Sequence, residues 1–330
     1  MNASPHSISI VIPVYQGERT LASVIDEILP MAQPTVTPEG NEFVVVEVLL
    51  VYDNGPDQSD RVMRELEQTN EIVRNVWLSR NFGQHAATLA GMASSGGDWI
   101  VTLDEDGQHD PSEISTMLDS ALRQRADVVY AKPTNEAPHG FFRNTASKTA
   151  KWVLTKVFGN PNAPEYQSYR LVLGSIGRSV AAYSGSGVYL DVAMGWVASK
   201  IVTSPAVLRD EGDRTSGYSL TRLISHFRRM VVSSGTRGLR LVTGLGVVIA
   251  VIGLIMALFV LIERLMGAVD AEGWASIIVV LLLTSGAILF SLGIIAEYIG
   301  VNVNMAMGKP PYLITSDPAN GPLNRPRRRS

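Results

Sequence analysis

Two aspartates two residues apart stand in the segment Asp104-Glu105-Asp106-Gly107-Gln108, directly after the apolar run Trp99–Leu103. Hard carboxylate oxygens at this spacing suit Mg2+ or Mn2+, which take a few protein carboxylates and complete their shells with phosphate oxygens and water. Two other polar turns follow apolar runs in the same way: Asp53-Asn54 after Phe43–Tyr52, and Arg80-Asn81-Phe82-Gly83 after Val73–Leu78. Any one such turn is ordinary loop punctuation. Three of them at the ends of successive strands fit a nucleotide and its metal. Neither GxGxxG after a strand nor GxxxxGK[ST] occurs, and Gly174-Ser175-Ile176-Gly177 is only a fragment, so a bound diphosphate would need its charge met by a cation. The five histidines show no zinc-ligand spacing, His85 and His109 read as ordinary surface or core residues, and the absence of cysteine excludes a thiol-ligated metal or a disulfide framework.

These residues must be positioned by the elements between them. Ile8–Ile12, Phe43–Tyr52, Val73–Leu78, Trp99–Leu103 and Val128–Ala131 read as strands; 19–31, 60–68, 84–94 and 111–123 read as helices. The alternation predicts an α/β fold with a mostly parallel sheet, whose ligands sit beyond the carboxyl ends of the strands.

The 330-residue chain has net charge −3, 46% hydrophobic residues and 18% charged residues, below the roughly 25% usual for soluble domains. Leu241–Ile262 and Trp274–Ala296 carry no formal charge and each reaches the ~20 residues of a bilayer-spanning helix. Arg222, Arg228, Arg229, Arg237 and Arg240 precede the first stretch, and Lys309, Arg325, Arg327, Arg328 and Arg329 follow the second. The connection Glu263–Gly273 sets only Arg264 against Glu263, Asp270 and Glu272. The positive-inside rule then predicts both termini in the cytoplasm, and residues 1–7 have no signal-peptide pattern. Leu220, Leu223, Ile224, Phe227, Met230 and Val231 share one helical face, predicting a basic amphipathic helix in the headgroup layer. The expected organisation is a cytoplasmic domain over 1–217, this helix over 218–240, a two-helix anchor over 241–305 and a cytoplasmic basic tail over 306–330, flexible after Ile314. Gly244, Gly246 and Gly253, with Ser285, Gly286 and Gly293, permit close helix packing and hence homo-oligomers. No nucleic-acid partner is expected.

Four segments in order carry a family resemblance: Ser9-Ile10-Val11-Ile12-Pro13-Val14-Tyr15, Val51-Tyr52-Asp53-Asn54-Gly55, Arg80-Asn81-Phe82-Gly83-Gln84-His85-Ala86-Ala87 and Asp104-Glu105-Asp106-Gly107-Gln108-His109-Asp110-Pro111. Together with the C-terminal apolar stretches, they resemble GT-A-fold family 2 glycosyltransferases of the polyprenyl-phosphate, dolichyl-phosphate-mannose-synthase-like group. The resemblance implies inverting transfer of a sugar from a nucleotide diphosphate sugar, a UDP-sugar first, to a polyprenyl phosphate. It implies that Asp104, Asp106 and Gln108 bind the metal, and that Pro13, Tyr15, Glu18, Asp53 and Asn54 surround the nucleoside. Lys132 and Arg143, the latter one helical turn before Ser147, match positions that bind the acceptor phosphate; Arg170, Arg209 or Arg214 is expected to add a further cation for it, Arg214 being equally a solvated loop charge.

The sequence also departs from the family pattern. Asn54 replaces the second acid of an Asp-Asp pair. Ser168 stands where relatives often carry an acid considered as a catalytic base, leaving Glu165 the nearest acid. A phosphate monoester, already largely ionised at neutral pH, needs no base, so direct in-line displacement without one is the expected chemistry. A processive polysaccharide synthase shares the nucleotide domain but carries a Gln-x-x-Arg-Trp motif absent here; a nucleotide-sugar sensor that has lost its chemistry has only Asn54 and Ser168 in its favour.

Overall fold

The computed structural model describes residues 4–135, 155, 165–209, 236–265 and 273–321. Apolar, β-branched runs form β1 (His6–Val14), a short β2 (Thr35–Val36), β3 (Glu42–Tyr52), β4 (Val73–Leu78) and β5 (Trp99–Thr102). β5, β1, β3 and β4 lie side by side in that order and are parallel. Ile8, Ile10, Val11 and Ile12 are all completely buried, as expected of a strand covered on both faces. One face packs on α1 (Leu21–Ile28), α2 (Ser59–Thr69) and α4 (Ile114–Gln124) through Leu21, Ile25, Met63, Met117 and Leu118. The other packs on α3 (Gln84–Ser94), α5 (Gly174–Tyr183) and α6 (Leu190–Val197) through Ala87, Ala90, Val180 and Ala193.

The sheet extends past β5 through β7 (Arg170–Leu173), β6 (Val128–Pro133) and β8 (Ile201–Ala206); β7 runs antiparallel to both its neighbours. This insertion carries Ser168, Tyr169 and Arg170 to the end of β5, beside the acidic turn. The Gly174–Gly177 fragment opens α5 on the sheet: a Cβ at Gly174 would lie 2.3 Å from the Gly97 carbonyl, so its glycine serves packing.

Helices occupy both charge-free stretches, α7 (Arg237–Leu265) and α8 (Trp274–Ala306). Among the described residues, Leu283–Ala306 is long and apolar enough to cross a membrane, while the apolar part of α7, Val242–Met256, is shorter. Leu254, Ile255, Leu283 and Leu289 on these helices are exposed.

The stretch after α8 differs from the flexible tail expected. β9 (Ile314–Thr315) pairs antiparallel with β4, Ser79 N–H donates to Leu313 O at 3.0 Å, and Arg64 grips Asp317 through Nε and Nη2, each at 2.9 Å. The chain thus closes the sheet edge with its own end, covering backbone groups that an open edge would expose. Arg143, Ser147, Arg214, the amphipathic stretch 220–231 and the arginines of 325–329 lie outside the described residues.

Candidate active site

The turns after β1, β3, β4 and β5 meet at one edge of the sheet, because parallel neighbours put their carboxyl ends together. Glu105, between the two aspartates, turns away from them and straps the β1 turn: its carboxylate accepts from Tyr15 N–H at 2.9 Å and Gln16 N–H at 2.8 Å, while its carbonyl accepts from Thr20 Oγ1 at 2.6 Å. Sequence reading assigned Glu105 no role; its only signal was its place between Asp104 and Asp106. The turn after β3 approaches from the other side, and a Cβ on Gly55 would overlap Tyr15 O at 1.5 Å, so only glycine fits there.

Asp104 is held on three sides. Gln84 Nε2 donates to its Oδ1 at 2.6 Å, Ser168 Oγ donates to its Oδ2 at 2.7 Å, and its backbone N–H donates to His109 Nδ1 at 3.1 Å. His109 is therefore buried with Nδ1 as acceptor, which places the neutral ring's proton on Nε2, 4.0 Å from Asp104 Oδ2. Its ring stacks on Tyr169 at 4.9 Å, and Tyr169 is anchored by its hydroxyl on Asp110 O. Asp106 closes the turn by accepting from Gln108 N–H at 3.0 Å, and Gln108 O accepts from Arg209 N–H.

The donor set fits a hard divalent cation that shares its shell with a substrate. Asp104 and Asp106 are half-buried carboxylates on one turn with Gln108 beside them, and among the described residues no group of three or more His, Cys, Asp or Glu forms a complete metal cage. Two carboxylates completed by phosphate oxygens is the coordination Mg2+ prefers.

Asp53, Asn54 and Glu18, expected around the nucleoside, each make hydrogen bonds within the chain. Asp53 is 3% exposed and its two oxygens accept from Phe82 N–H at 2.7 Å and Gly83 N–H at 2.8 Å. Burial pushes its carboxyl above the usual value, and the Phe82 and Gly83 N–H groups and Arg80 oppose that rise. Asp53 thus caps the entrance to α3 rather than presenting a free carboxylate. Asn54 adopts φ 52°, a left-handed conformation asparagine tolerates, and its amide donates to Leu78 O at 2.7 Å. Asn81 completes this inner frame by donating to Asp53 O at 3.0 Å. Pro13 is half-buried near the end of β1 between the buried Ile12 and Val14, Tyr15 is exposed at the edge, and Glu18 accepts from Gln58 N–H at 3.2 Å.

The cations also separate. Lys132 is exposed and lies 3.5 Å from Glu165, the nearest acid to Ser168 in sequence. Arg170 does not face the open site as expected of an acceptor-phosphate ligand: it is 3% exposed and ion-paired with Asp191, and its Nε donates to Thr102 Oγ1 at 3.0 Å and Ser168 O at 3.3 Å. Tyr130, whose hydroxyl burial drives well above its usual pKa, stays protonated and donates to Asp191 at 2.8 Å. The geometric reason is β7, which turns Arg170 inward beneath the acidic turn. Arg209 is already bound to Glu27 and Asp110, each at 2.8 Å. Of the described cations expected at the acceptor, Lys132 has the most exposed side chain, 60% against 40% for Arg209.

The profile of glycosyl transferase family 2 matches residues 9–181. The chain is 30% identical over 310 residues to the undecaprenyl-phosphate 4-deoxy-4-formamido-L-arabinose transferase of Photorhabdus laumondii, covering 93% of each chain. It is 28% identical over 313 residues to the protein of that name from Proteus mirabilis, covering 94% of this chain and 93% of the other. Among solved structures, glucosyl-3-phosphoglycerate synthase from Mycobacterium tuberculosis in complex with Mn2+, uridine-diphosphate and phosphoglyceric acid superposes with a TM-score of 0.48 at 19% identity, covering 70% of this chain and 78% of that one.

Proposed function

The chain belongs to glycosyl transferase family 2, and on that premise we propose that it moves a sugar from a nucleotide diphosphate sugar, a UDP-sugar first, to undecaprenyl or a related polyprenyl phosphate, with inversion. The observation that carries this reading is the match over 93% of both chains to a relative named for undecaprenyl-phosphate sugar transfer, a match that extends through the C-terminal helices. The enzyme works at the cytoplasmic face of the inner membrane, with α7 and α8 as anchors and both termini in the cytoplasm, as a homo-oligomer.

In this reading the nucleotide lies over the β1 turn, with Tyr15 at its exposed edge and Glu105 holding the turn in place. A divalent cation on Asp104, Asp106 and Gln108 would supply positive charge to the departing nucleotide diphosphate. Gln84 and Ser168 fix the Asp104 carboxylate so that its oxygens need no rearrangement when substrate arrives. The acceptor phosphate, ionised near neutrality because its second pKa lies near 6, attacks the anomeric carbon while Lys132 holds it, with Arg143 as the second expected cation. Glu165 orients Lys132 rather than taking a proton.

The test uses the purified full chain in detergent with polyprenyl phosphate and a panel of radiolabelled nucleotide sugars. Label that enters the organic phase as a single-sugar lipid supports the proposal. Label in water-soluble polymer would point instead to a processive synthase. Nucleotide binding without any product would point to a sensor.

A further inference from the structure

A cavity of about 730 Å3 lies where the turn after β4 meets the loop before α6 and the far end of α8. Arg80 and Lys309 bring two cations to its wall and Glu297 one carboxylate, with Gly300, Val301 and Pro310 between them. The loop entering the 11-residue α3 lines the same wall, its Phe82 and Gly83 N–H groups already donated to Asp53. None of Gln84, Asp104, Asp106 and Lys132 is part of this wall, so the cavity is separate from the acidic site.

The depth of the cavity follows from helix length. α8 has 33 residues, about 50 Å at ~1.5 Å per residue, against a hydrocarbon core of about 30 Å. Its charge-free part ends at Ala296, and Glu297, Asn302 and Asn304 follow. This end also packs on the polar catalytic domain, since a Cβ on Gly185 would come within 2.9 Å of Met305. With the charge-free stretch Trp274–Ala296 taken as the span, the last turns of α8 would leave the hydrocarbon, and the cavity wall formed by 296–304 would stand at headgroup level.

We propose that this cavity holds the headgroup phosphate of one anionic phospholipid of the surrounding bilayer, gripped by Arg80 and Lys309, with its chains lying along exposed apolar α8. Guanidinium–phosphate pairing is the geometry Arg favours. The bound lipid docks the catalytic domain on the membrane through the 80–84 segment, whose Gln84 reaches Asp104 on the opposite side. The inference rests on the membrane placement of α8 in the proposed function and on no statement about transfer.

Native mass spectrometry of the full chain in mild detergent, doped with phosphatidylglycerol, phosphatidylcholine or polyprenyl phosphate, tests it. One phosphatidylglycerol is expected to stay bound and phosphatidylcholine is not. The double variant Arg80→Gln/Lys309→Gln should lower retention about tenfold or more, since charge-assisted phosphate contacts are lost. Gly300→Leu should do the same by filling the space: nothing lies within 4 Å of its Cβ position, so the helix tolerates it. Equal retention of phosphatidylcholine, or retention unchanged in both variants, would overturn the proposal. Stoichiometric displacement of phosphatidylglycerol by polyprenyl phosphate would overturn it too, by making the cavity the acceptor's. Because the readout is bound lipid, a failed transfer assay would sink the proposed function without touching this result.

Discussion

Asn54 and Ser168, the two departures from the family pattern, both have a structural use as hydrogen-bond donors. A carboxylate at 54 would set its oxygens against Leu78 O, which the Asn54 amide now satisfies. Asn54→Asp is therefore expected to destabilise the fold by about 1–3 kcal/mol, the cost of an unsatisfied and opposed buried acceptor, read as a lower denaturation midpoint with unchanged slope. An acid at 168 would face Asp104 across a hydrogen-bond distance, and two carboxylates so close contest one proton; the serine instead donates. The Glu165 partnership with Lys132 predicts that Glu165→Gln loses far less turnover than Asp106→Ala, with the change falling on acceptor KM. A turnover loss equal to that of the aspartate variant would restore Glu165 as a base. The acidic turn was legible in the sequence as a candidate because it falls with two other polar turns at the ends of successive strands, where an α/β sheet gathers its ligands. The roles of Glu105, Ser168 and Arg170 were not, because each depends on which way a side chain turns once a distant strand arrives.

At the scale of elements, the parallel strands announce themselves as β-branched runs buried on both faces, and the helices between them by their apolar spacing. β7 and β9 leave no such trace: they have four and two residues, and their partners are remote in sequence. β9 is held to the sheet chiefly by the Arg64–Asp317 pair, which lies beside Trp77, with the guanidinium 4.8 Å from the ring centroid. Hydrogen bonding by Arg64 holds the Asp317 carboxyl below its usual value. Its stabilising contribution is thus complete above the unfolded value of about 3.9 and is lost as pH falls through the lower folded value. Amide exchange at 312–320, corrected for intrinsic rates, should stay protected at pH 6 and open below pH 4. Arg64→Ala should open it at both, and protection unchanged by that variant would remove the pair as the clasp.

Across the whole molecule, a sheet edge that gathers four turns is joined to two long helices whose exposed apolar faces suit lipid, and the chain end returns from the second helix to seal the sheet. This closure fixes the catalytic face relative to α8, as the proposed transfer to a lipid acceptor would require. The helices were visible from charge-free length alone, whereas their docking on the catalytic domain depends on contacts such as Met305 with Gly185 that no local pattern encodes. The central claim is that the Asp104–Asp106 turn drives metal-dependent sugar transfer to a lipid phosphate. Its most direct measurement is the initial rate of lipid-linked sugar formation by the purified chain and by Asp106→Ala, with EDTA and then with Mg2+ or Mn2+ restored. Metal held on this turn should give a rate abolished by EDTA, recovered on adding metal, and reduced by orders of magnitude in the variant under every condition. A rate indifferent to EDTA and near normal in Asp106→Ala would contradict it.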